Sequence, residues 1–494
     1  MDFVDPVKKR RHARRLLLTY VFIAAVIAGG TLLLGLESFG YHFNRKSGEL
    51  VQNGLIFVAS RPGGAEIRLN GEPRSERTDT RLDLPADDYS ITLQRDGYRS
   101  WQHDITLVGG SIERLVYPVL FPVDIVTKDV ELYRETPTLV TQSPDRRWLI
   151  VSQADSLTEF ELYDLNQTNP SATALTLPDG LLTASQGEQR LRGVEWSSDN
   201  RRVLLEHTYS NRSGKQREFI MLDWQSPTSS FNLNKRFNTN PTQVALRDKR
   251  FDRFYFYDAA RLTLRTADFS TRRVSPLLEK VLNFKVHGDD QVLYATTKSA
   301  GVGSVNVNLR TGDDDYTIKR LPDSKTYRLD MAQFDGRWYV AIGAGQDGPT
   351  YIYEDPVETL RRNRFRPLEP TATLQVDGVS KLSFSANARF IAVQGGNAFA
   401  VHDFETKRGH NYTLEDITLE KSAKATWMDG HRLTLLSQGK AIVFDYDGTN
   451  LQTLAPAASY QPYFSSDYNT LYTIAPSPTV PTRPALLRGA LEVK

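Results

Sequence analysis

The residues of this chain that could do chemistry are first its carboxylates, because two carboxyls about 5–10 Å apart across one cleft can hydrolyse a glycosidic bond. Two stretches, Asp445-Tyr446-Asp447-Gly448-Thr449-Asn450 and Asp313-Asp314-Asp315, also carry the clustered oxygens that a hard cation takes. Nearly every Asp that can be placed, however, falls at a recurring turn, where its side chain caps backbone N–H groups. A Ser-x-Asp-x-Gly-x-Thr-Trp box is not met: Ser143-Pro144-Asp145-Arg146-Arg147-Trp148 lacks the Gly and the Thr. The eight histidines, His12, His42, His103, His207, His287, His402, His410 and His431, show no short metal-ligand spacing, although two or three converging around one axis stays open. No Gly-x-Ser-x-Gly elbow or phosphate-cradling glycine loop occurs. The chain has no cysteine, which excludes thiolate metal sites, disulfides and a cysteine nucleophile. No catalytic, cofactor-binding or metal-ligating residue is therefore assigned, and no cofactor is expected.

What positions the acids is a repeat. An apolar strand ending in an acidic or amide residue recurs as Leu162-Tyr163-Asp164-Leu165, Met221-Leu222-Asp223-Trp224, Thr266-Ala267-Asp268-Phe269, Val307-Asn308-Leu309, Ile352-Tyr353-Glu354, Val401-His402-Asp403-Phe404 and Val443-Phe444-Asp445-Tyr446. The mean spacing is roughly 47 residues, the length of one four-stranded propeller blade. Upstream of most copies lies a turn followed by a β-rich run, as at Ser143-Pro144-Asp145, Ser197-Ser198-Asp199, Ser385-Ala386-Asn387 and Ser465-Ser466-Asp467. Asp145, Asp164, Asp199, Asp223, Asp268, Asp403, Asp445, Asp447 and Gly448 read as the turn residues of these units. A four-stranded blade has two apolar faces and cannot bury both alone, so blades stack until the ring closes. The copies resemble the WD-repeat-like β-propeller units of the TolB type, most closely at residues 444–454 and at the copy beginning at Ser143. Eight blades are expected over residues 121–494, with seven as the alternative. A strand from residues 123–133 is expected to close the last blade, since an unclosed ring leaves two bare sheet edges.

Residues 54–120 alternate with period two between turn signals, the mark of half-buried strands. Ile56 and Val58 share a face, Pro62-Gly63-Gly64 breaks the run, Ile67 and Leu69 resume it, and Asn70-Gly71 suits the φ > 0 positions of a tight hairpin. Ser60-Arg61-Pro62-Gly63-Gly64-Ala65, Leu69-Asn70-Gly71, Leu84-Pro85-Ala86-Asp87-Asp88-Tyr89 and Asp96-Gly97-Tyr98 with Trp101 resemble the PEGA domain of bacterial surface proteins. It departs from that pattern at Asp88, where the family usually has Gly. The resemblance implies a compact β-sandwich acting as a spacer or binding module, without catalytic residues. Tyr98 and Trp101 suit either sugar stacking or, more commonly in so small a core, packing.

Ahead of these domains, residues 16–36 are uncharged and would make a helix about 31 Å long, enough to cross the hydrocarbon of a bilayer. A cleaved signal peptide is the alternative, but the apolar run continues through Leu32, Leu33 and Leu34. Lys8, Lys9, Arg10, Arg11, Arg14 and Arg15 precede the span and only Arg45 and Lys46 follow closely, so residues 1–15 are expected in the cytoplasm and the rest outside. Residues 37–53 read as a linker. With this basic cluster set aside the remainder carries a slight negative excess, which argues against nucleic acid as a partner.

The fold class expected is mainly β: one transmembrane α-helix, a small PEGA-like β-sandwich, then a β-propeller. The function expected is non-enzymatic: a single-pass cell-membrane protein displaying a binding or scaffolding ring to an extracytoplasmic protein or polysaccharide, with membrane lipid around its helix. The alternative is an extracytoplasmic hydrolase or lyase acting on carbohydrate or peptide through carboxylates on the propeller axis.

Overall fold

The computed structural model describes residues 6–38, 40–43, 50–153, 156–212, 214–363, 367–415, 417–419 and 423–493. The chain separates into two compact units that meet in sequence at Val123 and Asp124.

The first unit opens with helix α1, Pro6–Ser38, whose stretch Arg14–Leu36 has a mean hydropathy of 2.3 and is long and apolar enough to cross a membrane. The helix runs further at both ends than the apolar segment alone predicts. Lys and Arg are good helix formers, and elongating an existing helix costs little, so the basic residues join it. The linker expected over residues 37–53 is corrected in part: Tyr41–Phe43 pairs antiparallel with Leu50–Val58, Tyr41 lying opposite Gln52. Arg45 and Lys46 lie outside the described residues. The strand Leu50–Val58 then pairs antiparallel with Thr80–Pro85 and parallel with Ile112–Leu115. A second four-stranded sheet runs Glu72–Arg77, Glu66–Leu69, Asp87–Gln94, Trp101–Leu107. Ile56, Val58, Leu82, Leu84 and Leu115 of the first sheet share one buried cluster with Ile67, Ile91, Leu93, Trp101 and Leu107 of the second, so the module is a β-sandwich.

The second unit holds, among the described residues, eight four-stranded antiparallel sheets in sequence order, the eight blades expected from the repeat. Blades 1 to 8 have their first strands at Val140–Gln142, Gln189–Trp196, Gln243–Leu246, Val281–His287, Tyr327–Phe334, Lys381–Phe384, Thr426–Trp427 and Tyr463–Phe464. These first strands are the inner ones: neighbours tie to each other directly, as Trp196 Nε1 to Thr141 Oγ1 at 2.8 Å and Gln142 Nε2 to the Phe464 carbonyl at 2.8 Å. Apolar clusters fill the spaces between blades. Leu162 and Phe160 of blade 1 pack with Ile220 and Leu222 of blade 2, and Val305 and Val307 of blade 4 with Ile342 and Tyr353 of blade 5.

The ring closes where the sequence leads one to look. Thr127–Leu132 is the outer strand of blade 8, antiparallel to Pro484–Ala490, with Leu487 opposite Asp129 and Ala485 opposite Leu132. Leu149, Val151 and Tyr163 of blade 1 then pack on Tyr472, Ile474 and Leu486 of blade 8. Leu486 is 0% exposed at this seam. Replacing it by Ala is expected to lower the stability of the propeller by about 2–5 kcal/mol through lost burial and a residual cavity. Chemical denaturation of the full chain checks this, and a loss below about 1 kcal/mol would mean that the seam is not close-packed.

Candidate binding site

The acids of the repeat lie at one end of the blades. In blades 1, 2, 6 and 8 the turn between the first and second strands has one geometry. Ser143, Ser197, Ser385 and Ser465 each donate their hydroxyl to Asp145, Asp199, Asn387 and Asp467, two residues on. The same hydroxyls accept the backbone N–H of Trp148, Arg202, Phe390 and Thr470 at 2.9–3.1 Å. Arg146, Asn200, Ala388 and Tyr468 take the left-handed conformation, φ +56° to +63°, that such a turn requires.

One residue further on, an arginine reaches the Asp that ends the third strand. Arg147 pairs with Asp164 at 2.8 Å, Arg201 with Asp223 at 2.8 Å and Arg389 with Asp403 at 2.7 Å. This partner is absent from the sequence reading, although its signal is there: Arg stands four residues after Ser in each of the three blades. Asp268 instead accepts from Ser270 Oγ at 2.6 Å and the Thr271 N–H at 2.9 Å. Asp445 takes Asn450 Nδ2 at 2.9 Å, and Asp447 takes the Thr449 hydroxyl at 2.7 Å in the turn that includes Gly448, φ +86°. Asp313 and Asp315 pair with Arg310. Asp313, Asp315, Asp445 and Asp447 thus face donors of their own hairpins.

These contacts set the electrostatics. The Arg147 guanidinium holds the Asp164 carboxyl below its ordinary range, and hydrogen bonds from Ser270 and Thr271 bring Asp268 down to about 2. Burial pushes Asp403 and Asp429 up, but Arg389 and Arg432 respectively more than offset it. Glu76, Asp199, Glu218 and Asp252 are likewise lowered. Each described carboxyl whose titration moves is moved down.

The axis is sparsely acidic. Of the eight inner strands, only those of blades 2 and 5 carry an acid, Glu195 and Asp330, and each is paired with a lysine, Lys249 and Lys285 respectively. On blade 6, Lys381 donates to the Ala425 carbonyl at 2.6 Å; burial and repulsion from Lys424 lower its pKa to about 8. At the turn end Arg146 of blade 1 lies 4.1 Å over the Tyr468 ring of blade 8 and donates to the Met428 carbonyl of blade 7 at 2.6 Å. One side chain thereby ties three blades across the axis.

A pocket of about 300 Å³ opens at this end between blades 4 and 5. Trp338, Leu309 and Val357 give it apolar walls, and Gln291, Glu358 and Arg361 give it polar ones. Its roof is helix α2, Pro356–Arg362, inserted after the third strand of blade 5; Asp355 Oδ1 accepts the Trp338 N–H at 2.8 Å and fixes the helix start against the strand. An aromatic wall with a few convergent polar groups suits one side chain or one sugar ring of a partner.

The other sequence-derived residues do not join this pocket. Lys8, Lys9, Arg10, Arg11, Arg14 and Arg15 lie on α1, with Arg14 and Arg15 exposed. In the sandwich, Pro62, Gly63 and Gly64 form the turn before Glu66–Leu69, and Asn70 and Gly71, both at positive φ, join that strand to Glu72–Arg77. Tyr89 donates its hydroxyl to the Pro85 carbonyl at 2.9 Å. Gly97 turns at φ +80°, and the Tyr98 and Trp101 that follow are buried in the core, so packing is their role in this fold.

A buried polar network in blade 2 has no sequence signature. Glu218 accepts from His207 Nδ1 at 2.9 Å, the Thr183 N–H at 2.7 Å, the Thr183 hydroxyl at 2.7 Å and Asn232 Nδ2 at 2.8 Å. Cross-strand register brings His207 opposite Glu218, which periodicity cannot specify.

Comparison with known family models agrees with the sandwich. Residues 53–115 match the family model of the PEGA domain. No curated protein matches the chain. Among solved structures it is similar to the Dos1 propeller, at 12% identity over 74% of this chain and 94% of that one with a TM-score of 0.41. It is also similar to dipeptidyl peptidase 4 of Porphyromonas gingivalis, at 11% identity over 73% of this chain and 58% of that one with a TM-score of 0.46. An oligogalacturonate lyase in complex with manganese gives 10% identity over 73% of this chain and 99% of that one, with a TM-score of 0.38.

Glu218 supplies a pH test. Burial raises its pKa and the four hydrogen bonds outweigh that, leaving about 2 against an ordinary 4.5. A depressed folded-state pKa stabilises the fold above the unfolded value and loses that stabilisation as pH falls through the folded one. Stability is therefore expected to fall between pH 4.5 and 2, and Glu218→Gln to flatten that slope while costing about 1–3 kcal/mol at neutral pH. Urea titrations across this range check both.

Proposed function

We propose that this protein is a single-pass membrane protein of a bacterial cell envelope that displays a PEGA sandwich and a TolB-type β-propeller on the outer side, where the ring binds a protein or polysaccharide partner without catalysis. Helix α1 is the anchor, with membrane lipid around it and the basic cluster from Lys8 to Arg15 on the cytoplasmic side. The observation that carries the non-enzymatic reading is the state of the acids. The two on the inner strands, Glu195 and Asp330, belong to non-adjacent blades and face lysines, whereas glycoside hydrolysis needs two carboxyls at one cleft, one with a raised pKa. The pocket at Trp338 is the contact point that its aromatic wall and polar rim suit best.

Three measurements test this reading. A reporter active only outside the cytoplasm, fused after Lys494, is expected to be active; activity of a cytoplasm-only reporter there would reverse the topology. Cross-linking of the full chain in its own membrane is expected to enrich a defined envelope component, with Trp338→Ala lowering the yield severalfold. Turnover of a glycan or peptide substrate that Glu195→Gln or Asp330→Asn abolishes would replace binding with catalysis.

A further inference from the structure

The sandwich begins within a few residues of the point where the apolar stretch of α1 ends. Leu36 is the last residue of that stretch, Ser38 ends the helix, and Gly40 follows two residues on. Two helical and two extended residues span at most about 10 Å. The Gly40 carbonyl accepts the Asn53 N–H at 2.8 Å, and the Asn53 carbonyl accepts the Gly110 N–H at 2.8 Å. The Ala86 N–H donates to the Gln52 carbonyl at 3.2 Å, and Leu107 lies so close to Gly54 that a Cβ there would meet it at 2.7 Å. The segments around Asn53, Ala86 and Gly110 are therefore gathered at one end of the sandwich, the end tied to the helix.

That end is apolar where the outside of a sandwich is ordinarily polar. Ile56 and Val58 point into the core, so Leu55 and Phe57 stand on the outer face of the first sheet. Ile112 lies beside Leu55 in the parallel pair and shares that face. Val108 and Ile112 are 58% and 54% exposed, and Leu55 is half-buried. Farther from the helix, Arg114 lies 5.6 Å over the Phe57 ring and covers it. Residues 44–49, which follow the strand Tyr41–Phe43, read Asn-Arg-Lys-Ser-Gly-Glu and offer no apolar cover. Scattered exposed valines are ordinary on a protein surface. These differ in place, because the tether holds them beside the end of the apolar helix.

We infer that Val108 and Ile112 dock the sandwich onto the surface of the bilayer in which α1 is anchored, their side chains entering the headgroup layer. The inference rests on the reading of α1 as a membrane anchor and adds a second, peripheral contact to it. Distance supports the contact: the headgroup layer on each side of a bilayer is about 5–7 Å thick, and the tether allows at most about 10 Å between its inner boundary and Gly40. Apolar contact, not charge, selects the partner. The described residues of this end, 40, 52–54, 83–87 and 107–112, include Asp83 and Asp87 and no lysine or arginine. A neutral headgroup layer is the surface they suit, and the covalent tether keeps it at high effective concentration. A second copy of the chain or another protein would have to reach a patch that this layer already adjoins.

The chain has no cysteine, so one substitution at a time places a single thiol-attached fluorophore. The full chain carries it in phosphatidylcholine nanodiscs, one copy per disc, at Val108→Cys, Ile112→Cys or Asp96→Cys. Asp96 is exposed and lies past the other end of the strand Asp87–Gln94, about 25 Å away. The labels at 108 and 112 are expected to be quenched at least threefold less by aqueous iodide than the label at 96, and at least threefold more by a lipid with a headgroup nitroxide. Equal iodide quenching at all three positions overturns the docking. So does protection that needs phosphatidylglycerol or a second copy in the disc, since each names a different partner. A label at Pro85→Cys, exposed at the same end, separates docking from nearness alone. Adding Val108→Asp with Ile112→Asp is expected to raise its iodide quenching to the level at 96, and unchanged protection would overturn the role of the two apolar side chains. A label at Ile23→Cys in α1 keeps the two readings apart: shielding there with 108 and 112 open leaves the anchor and removes the docking, whereas iodide access at 23 removes both.

Discussion

The interaction on which the second unit depends is the pairing of Thr127–Leu132 with Pro484–Ala490, two strands more than 350 residues apart in sequence. Each blade buries one face on the blade before it and one on the blade after, so a row of eight would end in two bare apolar sheets and two open edges. Closure removes both. The seam is held by more than its ladder: Asp129 accepts the hydroxyls of Ser477 and Thr479, and Arg483 donates to the carbonyls of Leu132 at 3.0 Å and Tyr133 at 3.1 Å. Because the closing strand is the first of the unit and its partner the last, the ring cannot close until nearly the whole chain is available. Contacts of this sequence separation make for slow folding and strong cooperativity.

Within that ring the charged residues serve the hairpins. A turn that needs a left-handed residue and a sharp reversal leaves backbone N–H groups pointing inward, and Ser, Asp and Asn side chains satisfy them. The arginine that follows neutralises the Asp at the end of the third strand. In blade 6 this Asp is 1% exposed, a position where an unpaired carboxylate would be severely destabilising. The same contacts that secure the fold lower the carboxyl pKa values, and a carboxyl held ionised is a poor general acid.

How far the structure was legible in the sequence follows from which physics acts locally. Period-two alternation and turn chemistry are local, so the sandwich, the Asn70-Gly71 hairpin, the blade count and the closing strand all follow from residue order. What tertiary contacts decide does not. Helix α2 is seven residues long, too short to form on its own propensity, and exists because Leu360 and Pro356 are buried against the blade. The His207–Glu218 pair depends on register, and the reach of Arg146 to Met428 depends on ring curvature, neither of which leaves a pattern in one strand. The strand Leu50–Val58 begins before the apolar alternation shows it, because its first residues pair only with the short strand Tyr41–Phe43.

Blade 4 shows what a weak copy within a repeat costs. The run Asn306, Asn308, Arg310 alternates as strictly as any strand of the ring, with Val305, Val307 and Leu309 between, and by the repeat criterion it is simply a weak copy. A weak copy has a physical cost. Polar side chains on an interblade face forgo the burial that apolar ones at the same positions provide, about 1.5–3 kcal/mol for each large side chain. They also need partners: Asn308 donates to the Tyr294 hydroxyl, Arg310 pairs with Asp313 and Asp315, and Asn306 accepts from Arg320 and donates to the Lys298 carbonyl. The rest of the ring compensates: the neighbouring interfaces on both sides of blades 3 and 4 are built from Phe, Tyr, Leu and Val. In a closed ring a partly polar interface is tolerated because its two blades are held from behind by the other six, and because blades 3 and 4 still share the buried cluster of Tyr255, Tyr257, Leu264, Val281, Phe284 and Val292 beside the polar face.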